Sequence, residues 1–239
     1  MQGTSLKSGA RNLIRANSPK IFFVSIIYII ILTVMSEFQF RLPGTLDAYD
    51  QYLQQLSSGA QQDFNMIYSY FRPSGLPFAL VLWLLSPVVQ VGYMSYGLKI
   101  SRGEDGEYKD ILNGFLFFGK IIVLHIVTSA LVFLWSLLFV FPGIAAHYRY
   151  RQSYYVLMDD PKKGVFQCIG ESKRLMRGKK IDLFMLDLSF FGWYVLDILV
   201  AMFLPVSFSL PIVSVWLTPY LGLTRAAFYN QLVNNTLSA

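Results

Sequence analysis

A chain of 239 residues carrying a net charge of +6, with 54% hydrophobic, 16% aromatic and only 14% charged residues, is excluded from the ordinary soluble class, where about a quarter of residues are charged. Its Lys and Arg residues cluster beside apolar runs, the pattern that sets membrane topology, and this argues against nucleic acid as a partner. Cys168 is the single cysteine, so no internal disulfide forms and redox compartment is not indicated.

Residues 5–17, SLKSGARNLIRAN, place Lys7, Arg11 and Arg15 at i, i+4 and i+8, with Leu6, Leu13 and Ile14 away from that row. This spacing predicts a helix lying on the inner membrane surface. Residues 21–38, IFFVSIIYIIILTVMSEF, form the first span; the run lacks a small-residue cleavage site and reads as retained rather than as a signal peptide. An uninterrupted apolar run of that length is helical in lipid, because only a helix satisfies its own backbone there. A polar outer loop, 39–73, follows and is expected to be partly helical. Residues 74–98 form the second span, with Pro87 inside it as the expected kink.

From Ile111 to Met158 the chain is apolar for about 48 residues, broken at Pro142-Gly143. As one helix this would be about 72 Å long, too long for one crossing. A turn at Pro142-Gly143 divides it into spans at about 115–141 and 142–160, and the later stretch containing Pro205 and Pro211 divides into 183–204 and 207–229. Lys and Arg asymmetry supports that division. Lys7, Arg11, Arg15 and Lys20 put the N-terminal segment inside, whereas 39–73 holds Asp47, Asp50 and Asp63 and belongs outside. A non-crossing fourth segment would leave Lys162, Lys163, Lys173, Arg174, Arg177, Lys179 and Lys180 outside; a crossing one returns them inside. The expected fold is therefore an all-α polytopic membrane bundle. It is one integral membrane domain, 1–239, with six transmembrane helices, interfacial helices and both termini cytoplasmic.

Catalytic signatures are missing: no P-loop, no Gly-x-Ser-x-Gly, no paired cysteines and no histidine pair at ligand spacing. The expectation is a protein that is not an enzyme and carries no cofactor and no metal. The telling groups are ionisable residues inside apolar runs: Lys120 and His125, then His147, Arg149 and Arg151, then Asp187 and Asp197. Each costs about 2.5–3.5 kcal/mol at the bilayer centre on insertion scales, so each needs a partner or a wet cavity. Two readings stand. Arg151 pairs with Asp187, the two lying at similar heights above the inner surface; or His147, Arg149, Arg151 and Tyr154, with Asp187 nearby, line an anion-binding cavity. A third reading has the fourth segment not crossing and its arginines snorkelling. In the inner loops, Arg102, Glu104, Lys173, Arg174, Arg177, Lys179 and Lys180 are candidates for headgroup or loop contacts, with Glu104 expected to pair with one of the bases after Lys173.

Several segments carry a family likeness: LKSGARNLI, Arg102-Gly103-Glu104 followed by DILNGF, Pro142-Gly143-Ile144 running to LMDDP, ESKRLMRGKKIDLFMLDLSFFGW and WLTPYLGLTRAAFY. In that order they resemble Gram-positive bacterial membrane proteins grouped as a domain of unknown function, numbered nine-seven-five. A fainter likeness is to the membrane domain appended to some glycerophosphodiester phosphodiesterases, whose hydrolase domain is absent. The first resemblance implies a multi-pass protein of the cell membrane and brings no established reaction. The leading functional expectation is binding or movement of an amphiphilic, lipid-like anion, with anionic membrane lipids as partners. The alternative is a non-transporting scaffold, regulator or immunity protein acting through another membrane protein or a second copy. For topology, a cysteine introduced at Ser172 should be protected from an impermeant thiol reagent in intact cells, and its labelling would overturn the six-span arrangement.

Overall fold

The computed structural model describes residues 3–41, 54, 58, 76–203 and 212–237, which are helical with short connections and contain no strand. The expected outer loop 39–73 and the prolines at 205 and 211 fall almost wholly outside the described residues. Helix α1 is Gly3–Ala16 and α2 is Lys20–Arg41, and the chain bends by 102° between them. Helix α3, Leu76–Ser101, leads through a 3-10 turn at Tyr108–Leu112 and the short α4, Asn113–Leu116, into α5, Phe118–Leu138. Then come α6, Val140–Tyr150, α7, Ser153–Asp159, and α8, Val165–Leu175. Helix α9, Lys180–Leu188, α10, Phe191–Phe203, and α11, Ile212–Leu237, complete the order.

Among the described residues, three helical stretches are long and apolar enough to cross a membrane: Pro77–Ser101, Phe118–Leu138 and Lys180–Val200. The bent pair α1 and α2 passes together as a fourth. This is the signature of a membrane protein; α6 with α7, and α11, are too polar or too short to be counted on the same terms.

Two antiparallel hairpins organise the chain. In the first, Lys120 Nζ of α5 donates to the Pro161 carbonyl at 2.5 Å, His125 meets Tyr154 at 3.1 Å, and Ser136 faces Gly143. The helix α5 is thus matched along its length by α6 and α7 running back. The chain turns at Phe139, which is extended (φ −165°, ψ 158°), and not at Pro142-Gly143 as its residue types suggest. Pro142 instead sits in the first turn of α6, where a backbone N–H has no intrahelical acceptor to lose. Gly143 is there for closeness: a Cβ on it would lie 2.1 Å from Ser136 Oγ. In the second hairpin, Asp197 meets Ser214 at 2.7 Å, Trp193 meets Trp216 with ring centroids 5.1 Å apart, and Phe190 meets Tyr220 at 5.2 Å. Asp197 also accepts the Val213 N–H at 3.3 Å, capping the N-terminus of α11 with a carboxylate supplied by its partner helix.

Pro87 lies within α3, which continues through it as one helix. Its missing N–H leaves the Trp83 carbonyl free, and the Ser86 hydroxyl donates to that carbonyl at 3.1 Å. Helix α1 is held to the bundle by direct contacts. It packs across α11 with Ala10 and Ile14 buried, Lys7 Nζ stands 4.3 Å above the Phe190 ring, and Arg11 Nε donates to Tyr220 Oη at 3.3 Å. Helix α8 buries Cys168, Ile169, Ser172 and Leu175, and Ser172 donates to the Arg149 carbonyl at 2.8 Å, where α6 ends and its last acceptors lose their partners. Because Ser172 is fully buried, the position that reads topology is Phe166, which is 77% exposed on the same helix.

The DILNGF segment packs on α3 with backbone against backbone. A Cβ on Gly92 would come 1.8 Å from the Ile111 carbonyl oxygen, and one on Gly114 would come 2.0 Å from that of Val88. Gly114→Ala should therefore destabilise the protein in detergent by about 1–3 kcal/mol through overpacking. Gly119→Ala, at an open site with nothing within 4 Å, should be neutral or better in the same melting experiment.

Candidate functional site: a polar cavity between the hairpins

Helices α2, α3, α5, α6, α7, α10 and α11 surround a cavity of about 820 Å³, within the usual range for small-molecule sites. One wall comes from α2 and α3, where Tyr28 stacks on Tyr93 at 4.2 Å and Ser25 hydrogen-bonds the Tyr93 hydroxyl at 2.8 Å. Gly222 lets α11 approach this wall, since a Cβ there would be 3.1 Å from the Tyr93 ring. The opposite wall is the first hairpin. There the Tyr154 hydroxyl lies 3.1 Å from His125 Nδ1 and 3.4 Å from Thr128 Oγ1.

The charges lie where the two hairpins meet. Asp187 on α9 accepts from the Arg151 guanidinium through Oδ2, and the Tyr148 hydroxyl donates to the same oxygen at 3.3 Å. Its other oxygen, Oδ1, accepts from Arg225 Nη2 at 3.0 Å and Nε at 3.1 Å. Both arginines line the cavity, and among the described lining residues there is no carboxylate. Two guanidinium groups share one carboxylate, so the site keeps one positive charge in excess. The Arg151–Asp187 contact was legible from helix heights alone. Arg225 was not singled out, although the same signal marks it: one cation inside the apolar run at 207–229.

His147, Arg151 and Tyr154 thus reach the cavity, with Asp187 as the counter-charge behind the arginines. Arg149 does not line it; its carbonyl is the acceptor for Ser172. The inner-loop residues separate. Glu104 makes no ion pair with Lys173, Arg174, Arg177, Lys179 or Lys180 among the described residues, which corrects that expectation. Lys173 instead lies 5.6 Å from the Tyr150 ring, Arg174 is 3.7 Å from Glu171, and Lys179 is 3.6 Å from Asp182, so these bases are satisfied on or beside their own helix. Arg177 and Lys180 carry no ion pair among the described residues.

Arg102 makes the connection that Glu104 does not. It donates to Asp159 at 2.6 Å and to Asn230 at 3.1 Å. Tyr229 donates to Asp159 at 3.0 Å, and Asn230 to Ser101 at 2.8 Å. Asp159 thereby raises the Arg102 pKa above its ordinary value, despite the opposing effect of burial. This cluster ties the ends of α3 and α7 to α11. Above it, Tyr155, which lines the cavity, stacks on Tyr229 at 5.1 Å at the end that carries the basic loops. No group of His, Cys, Asp and Glu able to hold a metal occurs among the described residues.

Fold and site together define an all-helical membrane protein with a cationic internal cavity. Residues 139–236 match a family described as a protein of unknown function (DUF975), and the resemblance read from the motifs holds over that part of the chain. Arg102-Gly103-Glu104, DILNGF and LKSGARNLI lie before the matched segment. The likeness to the membrane domain of glycerophosphodiester phosphodiesterases is not supported. No curated protein and no solved structure matches the chain.

Removing Asp187 should be the most damaging single change at this site, because it leaves two guanidinium groups facing each other without a counter-charge. We expect Asp187→Asn to cost about 3 kcal/mol in detergent melting, and either Arg151→Gln or Arg225→Gln to cost less. The Asp187→Asn, Arg151→Gln double variant should recover part of the loss. Strictly additive losses would contradict a shared carboxylate.

Proposed function

We propose that the protein is a six-span protein of the cell membrane, with both termini on the side of its basic loops, that binds an amphiphilic anion of lipid type in the cavity between its hairpins. The observation that carries this reading is the pair of arginines on one carboxylate at the cavity wall. A purely structural ion pair would be neutral, whereas this one leaves a positive charge facing an open volume. Tyrosine hydroxyls and His147 supply further hydrogen-bonding groups around it. The antiparallel matching of α5 by α6 and α7, and of α9 and α10 by α11, supports a fourth and a sixth crossing, although those segments are the more polar of each pair. A scaffold acting only through another protein calls for a dry, fully paired interior, so the polar cavity favours ligand binding over that alternative.

Native mass spectrometry of protein extracted in mild detergent tests the reading with two probes of equal chain length, phosphatidylglycerol and phosphatidylcholine. Phosphatidylglycerol should be retained preferentially. Arg225→Gln should weaken that retention about tenfold, the equivalent of one charge-assisted hydrogen bond. Equal retention of the two lipids, unaffected by Arg225→Gln, would sink it.

A further inference from the structure

Of the cavity-lining residues, Gln90, Phe133, Ser136, His147 and Tyr194 are exposed, and the large apolar ones among them are Phe133 on α5, at 62%, and Tyr194 on α10, at 41%. They mark a sideways opening. The contacts agree, because α10 packs on α11 while α3, α5 and α6 reach it with no more than marginal contact. Near the basic loops the two hairpins are joined, α9 against α6 and Asp187 against Arg151. Farther from those loops they separate. Val132 and Ser136 on α5 and Thr218 on α11 line the cavity in this separated part.

The heights of the two features differ in a consistent direction. In the first hairpin His125 meets Tyr154 and Ser136 meets Gly143, so Arg151 stands level with about residue 128 of α5. Phe133 is therefore about 7 Å farther from the basic-loop end than Arg151. On the other side Tyr194 lies seven residues beyond Asp187, about 10 Å in the same direction. The cationic part of the cavity is therefore nearer the basic-loop end, with Arg151 level with the middle of α5, and the opening lies farther along, past that middle.

A lipid held here has its phosphate toward the basic-loop end and its chains leaving farther along the bundle. We propose that the cavity takes a chain-bearing anionic phospholipid sideways from the bilayer. The phosphate is held by Arg151 and Arg225, and the hydrocarbon chains leave through the portal between Phe133 and Tyr194. The proposal rests on the anion-binding reading and adds to it the route, the orientation and the need for a chain. A soluble phosphate ester has the head chemistry but nothing to occupy the portal. On the basic-loop side stand the Tyr155–Tyr229 stack and the Arg102–Asp159 cluster.

The test is photolabelling in nanodiscs with a phosphatidylglycerol that carries a diazirine midway along one chain, mapped by peptide mass spectrometry. Label should concentrate at Val132, Phe133 and Tyr194, and unlabelled phosphatidylglycerol should compete it away. Glycerol 3-phosphate at the same concentration should leave at least nine-tenths of it. Ser129→Trp, which fills the cavity between the arginines and the portal, should lower the site-specific label about tenfold. Phe166→Ala, exposed on α8 and away from the cavity lining, should not. Diffuse labelling around the whole bundle while phosphatidylglycerol is still retained in native mass spectra would overturn the portal and leave anion binding standing. Equal competition by glycerol 3-phosphate would overturn the need for a chain. Neither retention nor focused label would sink both readings.

Discussion

Asp187 is mostly buried where α6, α9 and α11 meet, and a lone carboxylate there would carry a large desolvation penalty. Its neutralisation decides how the hairpins meet. Arg151 reaches it from the end of α6 and Arg225 from the middle of α11, so one carboxylate ties three helices together. A single arginine would have sufficed to cancel the charge. The second makes the junction cationic, and the helices diverge just beyond it to leave the cavity. Stability and ligand chemistry are thus linked through one side chain.

The rest of the bundle keeps that junction in place from both ends. Toward the basic loops, the Arg102, Asp159, Tyr229 and Asn230 cluster fastens α3 and α7 to α11, and Tyr155 stacks on Tyr229 beside it. Farther along, Asp197 caps α11 and holds it to α10. The close backbone contacts at Gly92, Gly114 and Gly143 fix the spacing of α3, the DILNGF turn and the first hairpin. The outcome is a cavity held between these fastenings, lined by α2, α3, α5, α6, α7, α10 and α11.

Much of this was legible in the sequence because membrane helices announce themselves by length and apolarity, and because a charge within such a run demands a partner. The Arg151–Asp187 contact followed from two helix heights and the 1.5 Å rise per residue. Three things were hidden. Phe139, which makes the first hairpin turn, has no turn-forming side chain, whereas Pro142 and Gly143 look like a turn and serve the first turn of α6 and a close helix contact. Glu104 and the bases after Lys173 have opposite charges, but local partners such as Glu171 and Asp182 are nearer to the bases, and distance along the chain does not reveal that competition. Arg102 found Asp159 and Asn230 because the ends of three helices converge, a property of the assembled bundle that no local pattern encodes.

The central claim is that the shared carboxylate leaves a cationic site for a lipid phosphate. The most direct measurement is an electron cryomicroscopy map of the protein in nanodiscs of phosphatidylglycerol, with an antibody fragment added for size. The account predicts a phosphate-sized density within hydrogen-bonding distance of Arg151 and Arg225, continuous with chain density passing between Phe133 and Tyr194. A water-filled cavity with both guanidinium groups turned wholly to Asp187, and lipid density confined to the outer surface of the bundle, would contradict it.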